Sequence, residues 1–172
     1  MKKYFISAML NLLILGFVLG QEQQKQNDFS IKNLQRNSIY IELGGIGGLV
    51  SLNYERLVPL KNKFGLGFRL GFGTAGSADS ANSATAYTAI AEINFIYGNR
   101  KHFLEPGIGF ANAFVKNDTE QWITIKLGYR YQAKKGFLFK IAPMYIYNFE
   151  RLDGDDDVFG GIWLGIALGY SF

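Results

Sequence analysis

Large apolar side chains alternate with glycine or polar residues through most of the chain after residue 38. In residues 64–73 every even-numbered position is Phe or Leu, and every odd-numbered position is glycine except Arg69. Residues 123–132 set Ile, Leu and Tyr against Thr, Lys, Gly, Arg and Gln in the same way. A period of two is that of a β-strand whose two faces have different surroundings. The alternation therefore predicts a sheet with one bulky apolar face and one small or polar face.

Eight such runs are separated by chain-reversing signals, and helical spacing is scarce between them. Each run is close to the roughly 9–11 residues that a tilted strand needs to cross a bilayer. The predicted strands are 38–45, 48–58, 64–74, 85–97, 102–114, 121–132, 137–148 and 159–172.

The distribution of side chains between the two faces decides which solvent suits the sheet. A soluble sandwich would bury the bulky face between two sheets and leave glycine and ions outside. A soluble secreted barrel with a ligand cavity would likewise have to bury the bulky face. A closed barrel in lipid instead directs the bulky face to the acyl chains and pairs every backbone N–H and C=O within the protein. We therefore predict an all-β fold, an eight-stranded antiparallel up-and-down transmembrane β-barrel over residues 38–172.

The predicted inner face carries balanced charge. A buried ion without a partner is costly, so ion pairs are expected inside the narrow barrel. We predict a lumenal salt-bridge network that plugs the barrel. Its four acids and four bases are Glu42, Glu55, Glu92, Glu105, Arg69, Lys126, Arg130 and Lys140.

The N-terminal 37 residues differ in composition from the rest. Lys2 and Lys3 precede an apolar run over residues 9–19 that ends at Gly20, the pattern of a secretory signal peptide over residues 1–20. The run is too short for a membrane-spanning helix. Residues 21–37 are polar and rich in Gln and Asn, which predicts a flexible polar periplasmic leader. A short helix over residues 29–34 is not expected to anchor anything.

The connections predict the orientation. Those after the second, fourth and sixth strands are short and basic, whereas those after the third, fifth and seventh are longer or acidic. Short periplasmic turns and longer external loops are typical of outer-membrane barrels. The glycine cluster at 44–48 is predicted to be a tight turn. Two aromatic rings are expected, the first at the basic end with Tyr54, Phe64, Tyr97, Tyr131, Phe137 and Phe172, and a less regular one with Phe72, Tyr87, Phe114, Trp122 and Tyr147.

Chemistry-bearing motifs are few. The chain has no cysteine, which excludes disulfides and thiolate chemistry. The net charge of +4 falls by half without Lys2 and Lys3, and the other bases do not cluster on one face, so nucleic acid is not a predicted partner. His102 lies at the predicted rim and is interpreted as an interfacial residue rather than a catalytic group. Glu92 and Glu105 could form a general acid–base pair, but they are interpreted as members of ion pairs. The acidic run 153–157 lacks the spacing of a calcium loop. No catalytic, cofactor or metal site is predicted.

The signal peptide, the eight alternating strands and the terminal residues 169–172 (GYSF) resemble the small outer-membrane β-barrel proteins of Gram-negative bacteria, which are OmpA- and OmpX-like and common in Bacteroidetes. This resemblance implies a cell outer-membrane location and contact with outer-membrane lipid and lipopolysaccharide. It also implies that the outer-membrane assembly machinery reads the C-terminal strand. The residues read would be Leu168, Tyr170 and Phe172.

The predicted function is a non-enzymatic integral outer-membrane barrel, structural or surface-presenting, with a largely plugged lumen. A narrow pore or a barrel that binds small solutes is the alternative, because glycine leaves some room inside. A barrel that modifies lipid A is a third possibility, and the soluble secreted barrel is a fourth.

Overall fold

The computed structural model describes residues 31–61, 63–76, 85–115, 118–134, 136–148 and 161–172. Within them, eight antiparallel strands form a closed barrel in which each strand pairs with its neighbours along the chain and the last pairs with the first. The strands are β1 (Asn37–Gly44), β2 (Val50–Pro59), β3 (Phe64–Gly76), β4 (Thr85–Asn99), β5 (His102–Val115), β6 (Asp118–Gln132), β7 (Phe137–Asn148) and β8 (Gly161–Ser171). A single 3-10 turn, Ile31–Asn33, precedes β1. The predicted up-and-down barrel is confirmed.

The largest difference in strand boundaries is at β6, which begins at Asp118 rather than at residue 121. Asp118, Thr119 and Glu120 continue the pairing with β5, so the connection between these strands spans only residues 116–117. The predicted connection over residues 115–120, one of those expected to be longer or acidic, is therefore too long, and its acids belong to β6. Acidic residues that have the composition of a loop here extend a hairpin, because the tertiary context of a strand can override weak β propensity.

The barrel has two distinct ends. The connections 60–63, 100–101 and 133–136 lie at one end together with Asn37 and Phe172, and we call this the short-turn end. The connection 45–49 lies at the other end, which we call the loop end, together with the strand ends Gly76, Thr85, Val115, Asp118, Asn148 and Gly161. Among the described residues there is no helix with the length and hydropathy of a membrane span.

The two faces of the sheet have the predicted sidedness. Phe68, Ile125 and Leu164 on the outer wall are 44%, 64% and 49% exposed. The alternating partners Arg69 and Lys126 are 1% and 5% exposed inside the barrel. The outward residues are predominantly apolar and form a belt, which is the surface that acyl chains would cover.

The β1–β2 connection is a tight turn, as predicted, in which Gly48 N–H donates to Gly45 O at 3.3 Å, and it folds into the barrel mouth. Ile46 at its centre is completely buried. Gly44, Gly45 and Gly48 adopt φ values of 67°, 79° and 91°, a region that glycine enters without strain. We call the resulting apolar cluster the loop-end plug; it contains Ile46, Ile90, Ala111 and Met144, with Trp122 and Ile146 packed against it.

Trp122 was predicted to belong to the second aromatic ring, but it packs against this plug instead. Its indole Nε1 donates a hydrogen bond of 3.1 Å to the carbonyl oxygen of Ile46. Thr88 Oγ1 donates at 2.9 Å to the carbonyl oxygen of Gly47. Side chains of the barrel wall thus hold the inward turn in place.

The residues just before β1 close the other mouth. Ile31 and Leu34 are 1% and 5% exposed, and they pack in what we call the short-turn plug, together with Leu57, Ile96 and Phe103. The prediction that a helix here would anchor nothing is wrong for these residues, since two apolar side chains three positions apart seat the segment in the barrel. The predicted signal peptide, leader residues 21–30 and the acidic run 153–157 lie outside the described residues.

The candidate functional site in the barrel lumen

The charged residues predicted to point inward all lie in the lumen. Each strand from β1 to β7 supplies at least one of them, whereas the inner face of β8 has only small residues such as Ala167 and Ser171 near them. All are buried, with exposures of 5% or less: Glu42, Glu55, Arg69, Glu92, Glu105, Lys126, Arg130 and Lys140.

The ion pairs begin near the loop end. Arg69 contacts both Glu42 and Glu92, with 3.4 Å between its Nη1 and Glu92 Oε2. Lys126 Nζ lies 2.7 Å from Glu92 Oε1 and 3.3 Å from Glu105 Oε1. Acids and bases thus alternate from Glu42 through to Glu105.

The chain of charges ends in a closed ring. Arg130 contacts both Glu55 and Glu105, with 3.3 Å between its Nη1 and Glu105 Oε2. Lys140 Nζ contacts the same two carboxylates, at 2.5 Å from Glu55 Oε2 and 2.8 Å from Glu105 Oε1. Every charge in the network therefore has an opposite partner, which offsets the large cost of removing ions from water.

Neutral groups complete the network. Asn53 Oδ1 accepts from Arg69 Nε at 2.9 Å, and Gln132 Oε1 accepts from Arg130 Nη2 at 2.7 Å. Asn94 Nδ2 donates to Glu92 Oε1 at 2.8 Å. Sequence reasoning did not single out these residues, although they share the inward phase of the alternation.

Tyr40 is a further residue that the sequence analysis missed. Its ring centroid lies 5.4 Å from the guanidinium carbon of Arg69 and 4.5 Å from Lys140 Nζ, so the ring bridges two cations by cation–π contact. Tyr40 also occupies the inward phase, but an apolar-looking aromatic residue in a strand gives no sequence signal of contact with ions.

The network lies between the two plugs. Along β4 the inward residues progress from the loop-end plug through the charges to the short-turn plug: Ile90, Glu92, Asn94 and Ile96. On β5 the order is reversed, with Phe103 in the short-turn plug, Glu105 in the network and Ala111 in the loop-end plug. In the part of the chain that the structure describes, the lumen is apolar at both ends and ionic in the middle.

The residues weighed for catalysis do not form a reactive group. His102 is exposed on the outer wall, where its Nδ1 lies 2.6 Å from Tyr129 Oη and its ring packs on the edge of Tyr131. Glu92 and Glu105 are both held by Lys126. Within the described residues, no three His, Asp or Glu side chains are arranged to hold a metal ion.

The residues of the C-terminal strand named by the resemblance lie on the outer wall. Leu168, Tyr170 and Phe172 are 55%, 58% and 49% exposed. The backbone N–H of Phe172 donates to Asn37 O at 2.7 Å, and Asn37 N–H donates back to Phe172 O at 3.0 Å. Phe172 therefore extends the β1–β8 seam that closes the barrel.

Comparison with known proteins shows the fold. No protein-family model and no curated protein sequence matches the chain. The crystal structure of the N-terminal β-barrel domain of Pseudomonas aeruginosa OprF is similar, with a TM-score of 0.59 and 13% identity over 81% of this chain and 98% of that one. The outer membrane protein Ail of Yersinia pestis in a phospholipid bilayer nanodisc has a TM-score of 0.48 and 14% identity over 80% and 99% of the two chains.

The closed barrel, its apolar belt and its paired inner charges define a small transmembrane β-barrel of the outer-membrane type. The likeness to the OprF domain supports the same fold. The exposed apolar exterior independently favours lipid surroundings, because soluble monomers rarely expose large contiguous apolar patches.

Proposed function

We propose that this protein is an integral outer-membrane barrel that is non-enzymatic and closed to solutes, and that acts as a structural or surface-presenting component of the cell envelope. The observation that carries this proposal is the order of layers in the lumen, an ion-pair network between two apolar plugs. Outer-membrane lipid, lipopolysaccharide and the assembly machinery are its proposed partners.

The layers oppose conduction by two mechanisms. A hydrated ion that enters at either end meets buried apolar side chains such as Ile46 or Leu34, which offer it no polar group. An ion that reaches the centre would have to separate charges that already neutralise one another, and breaking a buried pair costs about 3–5 kcal/mol. Together the two barriers favour a barrel that does not conduct.

Planar-bilayer recording on the purified protein tests this proposal. The wild-type protein is expected to show no large or steady open conductance, whereas a general porin in the same bilayers provides the positive control. The variant Leu34→Ser with Ile46→Ser removes the apolar side chain at each mouth and is expected to give brief, small openings. A large, steady conductance of the wild-type protein would contradict the closed lumen.

One observation favours the alternative of a narrow pore or solute-binding barrel. Asn94 Oδ1 and Thr124 Oγ1 are buried without a hydrogen-bond partner among the described residues. Both face inward beside Gly107 and Gly109, and buried polar atoms without a protein partner are groups that ordered water commonly satisfies. Liposome swelling with sugars of increasing size separates the two functions, since only a pore produces swelling that depends on solute size.

Two further measurements test location and activity. In a cell fraction, a band that shifts on heating should appear with the outer membrane, and recovery from the soluble periplasm would contradict a membrane barrel. Lipid A from a deletion strain should have an unchanged mass spectrum, because the side-chain contacts of His102 in the described residues are with Tyr129 and Tyr131 and not with a serine. An altered spectrum would support a lipid A-modifying enzyme instead.

A further inference from the structure

Arg56 stands out on the wall of the barrel. It belongs to the outward phase of β2, together with Leu52, Tyr54 and Val58, and it is exposed. Among the described strand residues in the outward phase, Arg56 is the one Asp, Glu, Lys or Arg. A cation on a lipid-facing wall is costly unless it reaches an anion or the interface, so its presence calls for a partner.

The neighbours of Arg56 form a small polar site. Arg56 pairs in register with Asn37 on β1 and with Phe68 on β3. Its Nη1 donates to Asn37 Oδ1 at 3.2 Å, and Tyr54 Oη donates to the same oxygen at 2.9 Å. These two bonds orient the Asn37 amide so that its Nδ2 remains available as a donor.

No carboxylate of the described residues contacts Arg56, so its charge is not neutralised by the chain described here. The guanidinium has five N–H donors and uses one of them on Asn37. The remaining donors, the charge and the Asn37 amide match the oxygens of a phosphodiester, which a guanidinium binds by paired hydrogen bonds.

The location specifies the source of that phosphate. Asn37 begins β1 at the short-turn end, and the exposed cations at this end have no ion pair within the described residues; they are Arg36, Lys61, Lys63, Arg100 and Lys101. The described acids lie either in the lumen or near the loop end, as Glu120 does. Val58 and Phe68, which flank Arg56, are 38% and 44% exposed and provide an apolar surface for acyl chains.

We propose that Arg56, Asn37 and Tyr54 bind the headgroup phosphate of an anionic phospholipid in the leaflet at the short-turn end. The ring of rim cations adds a long-range attraction for the same leaflet. This inference rests on the proposed function, because it requires a barrel that spans the membrane with the short turns on the phospholipid side.

Native mass spectrometry of the protein in a neutral detergent tests the site directly. The protein is mixed with equimolar phosphatidylglycerol and phosphatidylcholine, and the lipids retained after release from the micelle are counted. Wild-type protein is expected to retain phosphatidylglycerol preferentially. Arg56→Gln should weaken that retention about tenfold, the size of one lost hydrogen bond to a charged group. Arg56→Lys keeps the charge but lacks the paired donors of a guanidinium, so its retention of phosphatidylglycerol should lie between those of the wild type and Arg56→Gln.

Arg100→Gln is the matched control, because Arg100 is an exposed arginine at the same end without an ion pair in the described chain. It removes one of the five rim cations and should weaken retention far less than Arg56→Gln does. Equal losses in the two glutamine variants would show only diffuse attraction, and unchanged retention in Arg56→Gln would mean that the residue does not bind; either result overturns the site.

A separate readout distinguishes failure of this inference from failure of the proposed function. Insertion of each protein into phosphatidylcholine vesicles is followed by the heat-modifiable band. If wild-type protein does not insert, the proposed membrane barrel fails. If all variants insert and Arg56→Gln still retains phosphatidylglycerol, only the lipid site is wrong.

Discussion

Lys140 Nζ on β7 lies 2.8 Å from Glu105 Oε1 on β5, although β6 separates the two strands in the sheet. The pair therefore joins two strands that are not neighbours in the sheet. Arg69 on β3 reaches Glu42 on β1 in the same way across β2. Such contacts connect strands that are not neighbours in the wall, so the network stabilises the barrel as well as blocking its lumen.

The pair of Arg69 and Glu42 should contribute strongly to stability. Arg69→Met leaves Glu42 buried without its cation, and the expected loss is about 3–5 kcal/mol in the free energy of unfolding. The double variant with Glu42→Gln should lose less than the sum of the two single losses, because neither charge is then left alone. Urea unfolding in lipid vesicles measures all three, with Arg100→Gln as a surface control near zero. Additive losses would mean that the two residues do not interact.

A charged substitution in the apolar belt should destabilise the barrel more, the deeper it lies in the membrane. Ile125 is 64% exposed in the middle of β6, and Ile125→Arg is expected to destabilise the folded barrel in vesicles by about 2–4 kcal/mol. Gln121 is an exposed residue of the same strand nearer the loop end, where Gln121→Arg should cost about 0–1 kcal/mol. Similar costs at the two positions would contradict a lipid-facing belt at Ile125.

The inward turn should depend on a missing side chain in β3. A Cβ at Gly73 would lie 2.6 Å from the carbonyl oxygen of Gly47 and 2.7 Å from Thr88 Oγ1, so Gly73→Ala must displace the turn. We expect a loss of about 1–3 kcal/mol in the free energy of unfolding, as for other overpacked interiors. Gly67→Ala is the matched control, since its Cβ would come no nearer than 3.3 Å to Glu55 or Ile96 and should cost less. A larger loss for Gly67→Ala than for Gly73→Ala would contradict the packing of the turn against Gly73.

The proposed assembly signal should act in cells rather than in the finished barrel. Phe172→Ala removes an exposed ring at the end of the closing seam, and we expect several-fold less folded protein in the outer membrane. Ile162→Ala removes an 84% exposed side chain at the other end of β8 and should leave assembly unchanged. Spontaneous folding of both purified variants into vesicles should match the wild type. If Phe172→Ala fails equally in vesicles, the ring supports the structure and is not a signal.

Much of this architecture follows from one local rule. Because successive side chains of a strand point to opposite faces, the parity of a position assigns it to lipid or to lumen. Phe68 and Arg69 needed no tertiary information for that assignment, and the structure places them on opposite sides of the wall. The extent of β6 was less accessible, since Asp118 and Glu120 have the composition of a loop but pair with β5.

The plugs gave no comparable signal. Ile46 sits among glycines, and Ile31 and Leu34 sit in a polar segment, so neither follows a strand period. Their burial depends on the size of the opening that closure creates, with β8 joined to β1. In the sequence, an isolated apolar residue in a connection is as compatible with exposure to solvent as with burial in a cavity, because the cavity forms only when the barrel closes.

The sequence by itself determined the class of fold, the strands and the set of charges that enter the lumen, because each depends on alternation along a single strand. Only the tertiary structure decided which charges meet, as Lys140 and Glu105 do, and what fills the two mouths. The physical reason is that closing eight strands into a narrow barrel brings side chains from non-adjacent strands within contact distance, and that distance is set by the barrel's radius rather than by any local pattern.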